Sequence, residues 1–369
     1  MKQVKVALAT IFALTLGALL IAPAAGAVPK APNGFLGIVP QEGLTHTDTK
    51  RMKRGKVSNI RIAVAWSQIQ SENANQFNWL EFDRMMRAAA LEGLRVMPTL
   101  YATPTWLSGN YTNLPIKNSN QLEKWRKFVK AAVDRYGSKG EFWKEENEGN
   151  SSLPKKPVQE WQIWNEANFH YFATPVSASK YGRLLDASAK VIHQADPKGK
   201  VVASGLFAKP KGPKKKAVDA TSFIRQVARS SKRNSIDSIA IHPYAKDTKT
   251  LKKIMVQFRT AARKAGLGSK PIQVTEIGWA SGKKKNAFLT GSKKAQSKQL
   301  RSAFNYLISQ RRRLGLQRVY WYAWRDSDPK GESCSFCYTI GLFGYRKSDK
   351  LVAKPAWRQF VKYTRGRAS

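Results

Sequence analysis

From residue 34 onward, short and nearly continuous apolar runs alternate with longer segments whose apolar residues recur every three or four positions. The runs predict strands at 34–40, 59–65, 94–100, 160–165, 200–205, 238–242, 271–276 and 318–323. Several, such as 60–66, show little in/out alternation, which suits strands covered on both faces in a parallel sheet. The periodic segments predict helices at 80–91, 119–136, 177–194, 219–230, 248–265, 295–313 and 355–363. In the first of these Phe82, Met85, Met86 and Ala89 share one face. Gly93, Gly137 and Gly266 stand where helix C-caps are expected.

Strict alternation of strand and helix implies a parallel sheet. Eight such units in one chain predict a single-domain α/β fold, a (β/α)8 TIM barrel. An open doubly wound sheet is the second choice, weakened because no G-x-G-x-x-G turn follows the first strand. Two polar stretches interrupt the pattern, 137–157 before the fourth strand and 209–216 after the fifth. Both read as long loops, expected to border the cleft.

Residues 1–27 do not fit the barrel. Lys2 and Lys5 precede an apolar run over 6–21, and Ala25-Gly26-Ala27 follows as a small-residue cleavage site. This is the layout of a secretory signal peptide, and the run is shorter than the ~20 residues of a spanning helix. The expectation is cleavage after Ala27, no stable membrane anchor, and a secreted domain over 28–369.

Composition narrows the picture further. The 369 residues are 42% hydrophobic and 11% aromatic, which excludes a disordered chain. Two cysteines cannot staple this length, which excludes a disulfide scaffold. Cys334 and Cys337, with four scattered histidines, do not make a zinc site. A local disulfide in the loop after the eighth strand is expected instead. The net charge of +41 predicts attraction to polyanions, such as an anionic cell wall or an acidic glycan. Nucleic acid is disfavoured, since no recognition module is present and an exported protein would not meet it.

In a (β/α)8 barrel the chemistry sits at the C-terminal ends of the strands. Those ends carry Arg61 and Trp66, Trp106, Asn165-Glu166, His242 and Tyr244, Glu276 with Trp279, and Trp324. Two carboxylates among aromatic rings suit glycoside hydrolysis, which needs one protonated and one ionised carboxyl at the scissile bond. Arg61 is expected beside Glu276, keeping it ionised, and a more buried Glu166 would hold its proton.

The same segments carry a resemblance. Trp161-Gln-Ile-Trp-Asn-Glu-Ala-Asn168 resembles the W-x-x-x-N-E-P-N segment of glycoside hydrolase family 39, within the retaining clan A of (β/α)8 glycosidases. Val274-Thr-Glu-Ile-Gly-Trp279 is similar to the clan's strand-seven segment, and Ile241-His-Pro-Tyr244 to its strand-six segment. The likeness spans roughly 60–324, with Ala167 standing where the family has proline. It implies that Glu166 is the acid/base and Glu276 the nucleophile of a double displacement. Asn165 would bond the sugar 2-hydroxyl, and His242 and Tyr244 would orient the nucleophile. It further implies a polysaccharide or oligosaccharide substrate and a monomer that needs no metal or organic cofactor. The rival reading is a non-catalytic, wall-associated glycan-binding barrel.

Overall fold

The computed structural model describes residues 28–41, 43–148, 152–213, 215–282, 291–327, 334, 337–345 and 351–368. The expected signal peptide at 1–27 lies outside them. Eight parallel strands close into a barrel in chain order. They are β1 (Leu36–Val39), β2 (Asn59–Ala65), β3 (Arg95–Tyr101), β4 (Glu160–Ile163), β5 (Lys200–Phe207), β6 (Ser238–His242), β7 (Ile272–Ile277) and β8 (Leu316–Tyr322). Ile38 of β1 stands opposite both Ile60 of β2 and Trp321 of β8, which closes the ring.

The main helices around it are α1 (His46–Arg54), α2 (Leu80–Leu91), α3 (Ser119–Tyr136), α4 (Ala178–Ala195), α5 (Ala220–Ser230), α6 (Thr248–Lys264), α7 (Lys293–Ser309) and α8 (Pro355–Thr364). Asn118, Ser177, Asp247 and Ser292 cap α3, α4, α6 and α7 through side-chain oxygens, each worth about 1 kcal/mol. Among the described residues no helix is long and apolar enough to cross a membrane.

Inside the barrel the side chains lie in layers. Val39, Met97, Val202, Ala240 and Tyr320 form an apolar middle layer. Two residues further along the same strands, a step that keeps the same face, come Thr99, Ser204, His242 and Tyr322. The layer toward the C-terminal mouth is therefore polar, and the site is built there.

All eight predicted strands form, and the differences are local. β4 stops at Ile163 because the next residues leave extended geometry. The predicted helix over 295–313 starts earlier and divides, with a separate turn at Arg311–Leu314 that ends at Gly315. The stretch 137–157 runs from α3 into the N-terminal end of β4, so it lies on the face opposite the mouth and cannot border the cleft. Residues 137–148 include a one-turn helix whose Phe142 and Trp143 are buried, with Phe142 packed on Tyr136. The loop after β5 does stand at the mouth, bonded to the loop after β4 through Lys216 O and His170 N.

Candidate active site

The end of β4 carries strained backbone. Trp164 and Glu166 have φ angles of 68° and 39°, a region where non-glycine residues cost about 1–3 kcal/mol each. Neighbours hold the strain. The Trp164 ring N–H donates to Phe172 O at 2.7 Å, the Glu166 amide to Gly205 O at 3.2 Å, and the Ala167 amide to Ser204 Oγ at 3.0 Å. The result turns both Asn165 and Glu166 toward the barrel mouth.

Arg61 of β2 organises the floor of the site. Its Nε donates to Gln162 Oε1 at 2.6 Å, Nη1 to Glu276 Oε1 at 2.6 Å, and Nη2 to Asn165 Oδ1 at 2.7 Å. One buried guanidinium thus ties β2, β4 and β7 together. Gln162 also accepts from Thr99 Oγ1 at 3.0 Å and donates to Ala203 O at 3.1 Å. Tyr244 Oη donates to the other oxygen of Glu276 at 2.9 Å.

His242 is fully buried between the two carboxylates. Its Nδ1 lies 2.7 Å from Glu166 Oε1 and 3.5 Å from Glu276 Oε2, and its Nε2 lies 3.0 Å from Thr275 Oγ1. The resemblance assigned His242 to the nucleophile, but its short hydrogen bond goes to Glu166, while Tyr244 takes Glu276. Room for this ring exists because position 205 is glycine. A β-carbon there would come within 2.1 Å of His242 Nε2 and 2.5 Å of Thr275 Oγ1.

Burial drives the electrostatics. It pushes the Glu166 carboxyl well above the usual range, and the nearby charge of Glu276 adds to the shift while Arg61 opposes it. Burial also holds His242 well below the ordinary imidazole value, helped by Arg61. Glu166 is therefore disposed to keep its proton beside a neutral imidazole.

Six of the predicted residues meet in this cluster: Arg61, Asn165, Glu166, His242, Tyr244 and Glu276. The four tryptophans do not offer the open platforms that strand order suggested. Trp66 and Trp324 are fully buried. Trp66 packs on Trp125 and Phe128 with its N–H on Gln70, and Trp324 packs on Phe343 and Trp357 with its N–H on Asp48. Trp279 is nearly buried, donating to Ala245 O, and Trp106 is half-buried, donating to Gln70 O. Residue type and position after a strand suggested sugar contact, yet Trp66, Trp279 and Trp324 are enclosed by packing, and Trp106 alone of the four keeps part of its ring exposed.

The half-buried rings that end strands are Tyr101, Phe207 and Tyr322. Tyr322 shares the inward parity of Tyr320, a cue the sequence already held. Gln162, Thr275 and Gly205 were missed because none is reactive by itself. Cys334 and Cys337 are joined in a disulfide, as expected from their spacing.

Glu166, His242 and Glu276 bring ligand-type atoms within 4.8 Å of one another, a donor set a cation could use. The Arg61 guanidinium already places positive charge against Glu276, so a cation there would be held against a like charge. The set fits proton transfer better than metal binding.

No curated protein matches the sequence. Among solved structures, the chain is similar to a family 39 glycoside hydrolase from the gut symbiont Bacteroides cellulosilyticus WH2, at 17% identity and a TM-score of 0.64. That match covers 90% of this chain but 64% of the other, so the chain spans less than two thirds of that relative. It is also similar to a family 39 β-xylosidase from Caulobacter crescentus (16% identity, 91% and 72% covered, TM-score 0.60). A β-glucosidase from Thermotoga maritima is a third (12% identity, 92% and 100% covered, TM-score 0.61). At these identities the likeness is one of fold. The model of the glycosyl hydrolase catalytic core matches residues 116–336, more than half of the sequence, including Asn165-Glu166, His242, Tyr244 and Glu276. The chain belongs to the glycosyl hydrolase catalytic core family.

Proposed function

We propose that the protein is a retaining O-glycosidase acting on a polysaccharide or oligosaccharide. The observation that carries this reading is the pairing of Glu166 and Glu276. One oxygen of each lies within 4.8 Å of the other, with opposed surroundings. Retaining enzymes hold their carboxyls about 5–5.5 Å apart, and inverting enzymes leave about 6.5–9.5 Å for a water.

In the first step Glu276 attacks the anomeric carbon while Glu166 gives its proton to the departing oxygen. In the second, Glu166 takes a proton from water, and that water breaks the glycosyl ester, freeing Glu276. Arg61 and Tyr244 donate one hydrogen bond to each oxygen of Glu276. Asn165 spends its oxygen on Arg61, which leaves its amide N–H groups for a sugar hydroxyl. Tyr101, Phe207 and Tyr322 are the rings for stacking against the apolar face of a sugar. A binding barrel would have no use for a buried proton donor facing a second carboxylate, and this disfavours the non-catalytic alternative.

The layout of 1–27, two lysines, an apolar run and a small-residue stretch, supports export, and the charge of +41 supports association with anionic matrix outside the cell.

The test is hydrolysis of a panel of glycans and aryl glycosides by the protein and its Glu276→Ala variant. β-Xylosides and β-glucosides come first, because two similar structures are a β-xylosidase and a β-glucosidase. Release that vanishes in the variant, with the first-formed sugar keeping its anomeric configuration by NMR, is the expected result. Net inversion would refute the mechanism, and release that persists in the variant would refute the site.

A further inference from the structure

A second feature lies at the opposite end of the barrel. A cavity of about 570 Å³ opens among the N-terminal ends of the strands, lined by residues before β1 and β7 and by the first residues of β3 and β8. Among the described residues six cationic side chains line it, Arg95, Arg259, Lys270, Arg311, Arg312 and Arg318, and no carboxylate does.

Three of the six are tied to the fold, Arg311 by donating to Ile308 O at 2.9 Å. Arg259 is buried and donates to the carbonyl oxygens of Leu314, Gly268, Lys270 and Gly315. Arg318 pairs with Glu160. Arg95, Lys270, Arg311 and Arg312 form no ion pair among the described residues, and Arg95 and Arg312 are exposed.

Four unneutralised cations around one concavity repel one another. Low-dielectric walls focus their field into the opening. The volume lies within the range of pockets that take ligands of several rings (about 300–1,000 Å³). A single small anion would neutralise one or two of the four. A chain bearing a negative group on successive units would meet them all, and guanidinium forks match carboxylate and phosphate oxygens in pairs.

We propose that this basal cleft binds an acidic glycan, a polysaccharide carrying a carboxylate or phosphate on successive units. It would hold the protein on such a polymer while the mouth with Glu166 and Glu276 faces away. The inference goes beyond the hydrolytic reading and stands without it, since it uses none of the groups at the mouth.

The experiment measures binding of the full chain to polygalacturonate and to poly(N-acetylglucosamine 1-phosphate) by fluorescence anisotropy. Three proteins are compared: the natural sequence, a cleft variant (R95Q, K270Q, R312Q) and a control (K180Q, R183Q, K190Q) that removes equal charge from α4. The cleft variant should bind at least about tenfold more weakly than the control, the effect of losing even one charge-assisted contact. The binding should also fall steeply as salt screens it. The polymer that shows the loss identifies the group recognised. Glu276→Gln should bind as the natural sequence does, and the cleft variant should still hydrolyse a small glycoside, so failure here is separable from failure at the mouth. Equal weakening in both variants, no binding at low salt, or stronger binding of single-stranded DNA than of either glycan would overturn the proposal.

Discussion

The Nε2 atom of His242 lies 3.0 Å from the hydroxyl oxygen of Thr275, and this contact decides which ring nitrogen carries hydrogen. Arg61 can only donate, so Gln162 meets it with Oε1 and turns Nε2 toward Ala203 O and, at 3.4 Å, Thr275 Oγ1. Thr275 accepts from Gln162, and among the described residues His242 Nε2 is the acceptor its own hydrogen can reach, so the hydroxyl donates there. The imidazole hydrogen is left on Nδ1, facing Glu166 Oε1 at 2.7 Å. Assigned in this way from bond directions, the acid proton of Glu166 belongs on Oε2, the oxygen not engaged by His242.

Replacing Thr275 with valine keeps the shape and removes the donor. Losing one buried hydrogen bond of about 1–1.5 kcal/mol lowers kcat about tenfold if the bond acts in the transition state. KM should change little. The ¹⁵N shifts of His242 should report hydrogen shared between both ring nitrogens rather than held on Nδ1. An unchanged His242 spectrum would overturn the placement of the imidazole hydrogen on Nδ1 while leaving the acid/base assignment intact.

Gly205→Ala should disable the site without unfolding the barrel. The added β-carbon meets His242 and Thr275 inside contact distance, forcing His242 off Glu166. Misplacement of this kind costs about 100-fold in rate, whereas overpacking of a core position costs about 1–3 kcal/mol in stability. Activity and thermal unfolding measured on the same preparation separate the two effects.

Glu166 trades stability for its proton. Its carboxyl pKa is raised in the folded state, so the folded protein binds a proton that the unfolded chain releases. Stability from this group is present below the ordinary carboxyl pKa and declines as pH rises toward the folded value. Glu166→Gln, which carries no charge to bury, should therefore unfold at a higher temperature than the natural protein at neutral pH. The gap should close as pH falls toward 4.5, the ordinary value for this group. A constant gap across pH would contradict the burial-driven shift.

Lys354, at the start of α8, is buried and donates to Asp326 Oδ1 at 2.5 Å, to Ser281 Oγ at 3.0 Å and to Thr339 O at 3.0 Å. It joins the last helix to loops that follow β7 and β8. Lys354→Met would leave half-buried Asp326 with the Gly341 N–H but without its cation, at a cost of about 1–3 kcal/mol. Chemical denaturation should show it as a lower midpoint with the slope unchanged. Replacing both residues together with apolar side chains should recover part of the loss.

Much of this protein is legible in its sequence because the barrel repeats one physical unit. The strands are covered on both faces, so several read as nearly continuous apolar runs, and strand order alone brings Glu166 and Glu276 to one mouth. Helix α1 escaped because its nine residues, His46–Arg54, carry little apolar surface and a mostly charged face. Its start was readable in hindsight, since Thr45 and Asp48 form a capping box, and Asp48 anchors Trp324 and Arg325. The tryptophans misled because residue type does not reveal which side of a strand end a ring falls on. Gln162 and Thr275 act only through their neighbours, and such roles depend on the direction of hydrogen bonds that no spacing encodes.

Glycine is the one coded amino acid without a β-carbon. Whatever base changes in its codon, any replacement at position 205 therefore adds an atom where His242 and Thr275 meet. The position is closed to neutral drift. In a saturation library selected for turnover, 205 should return glycine alone.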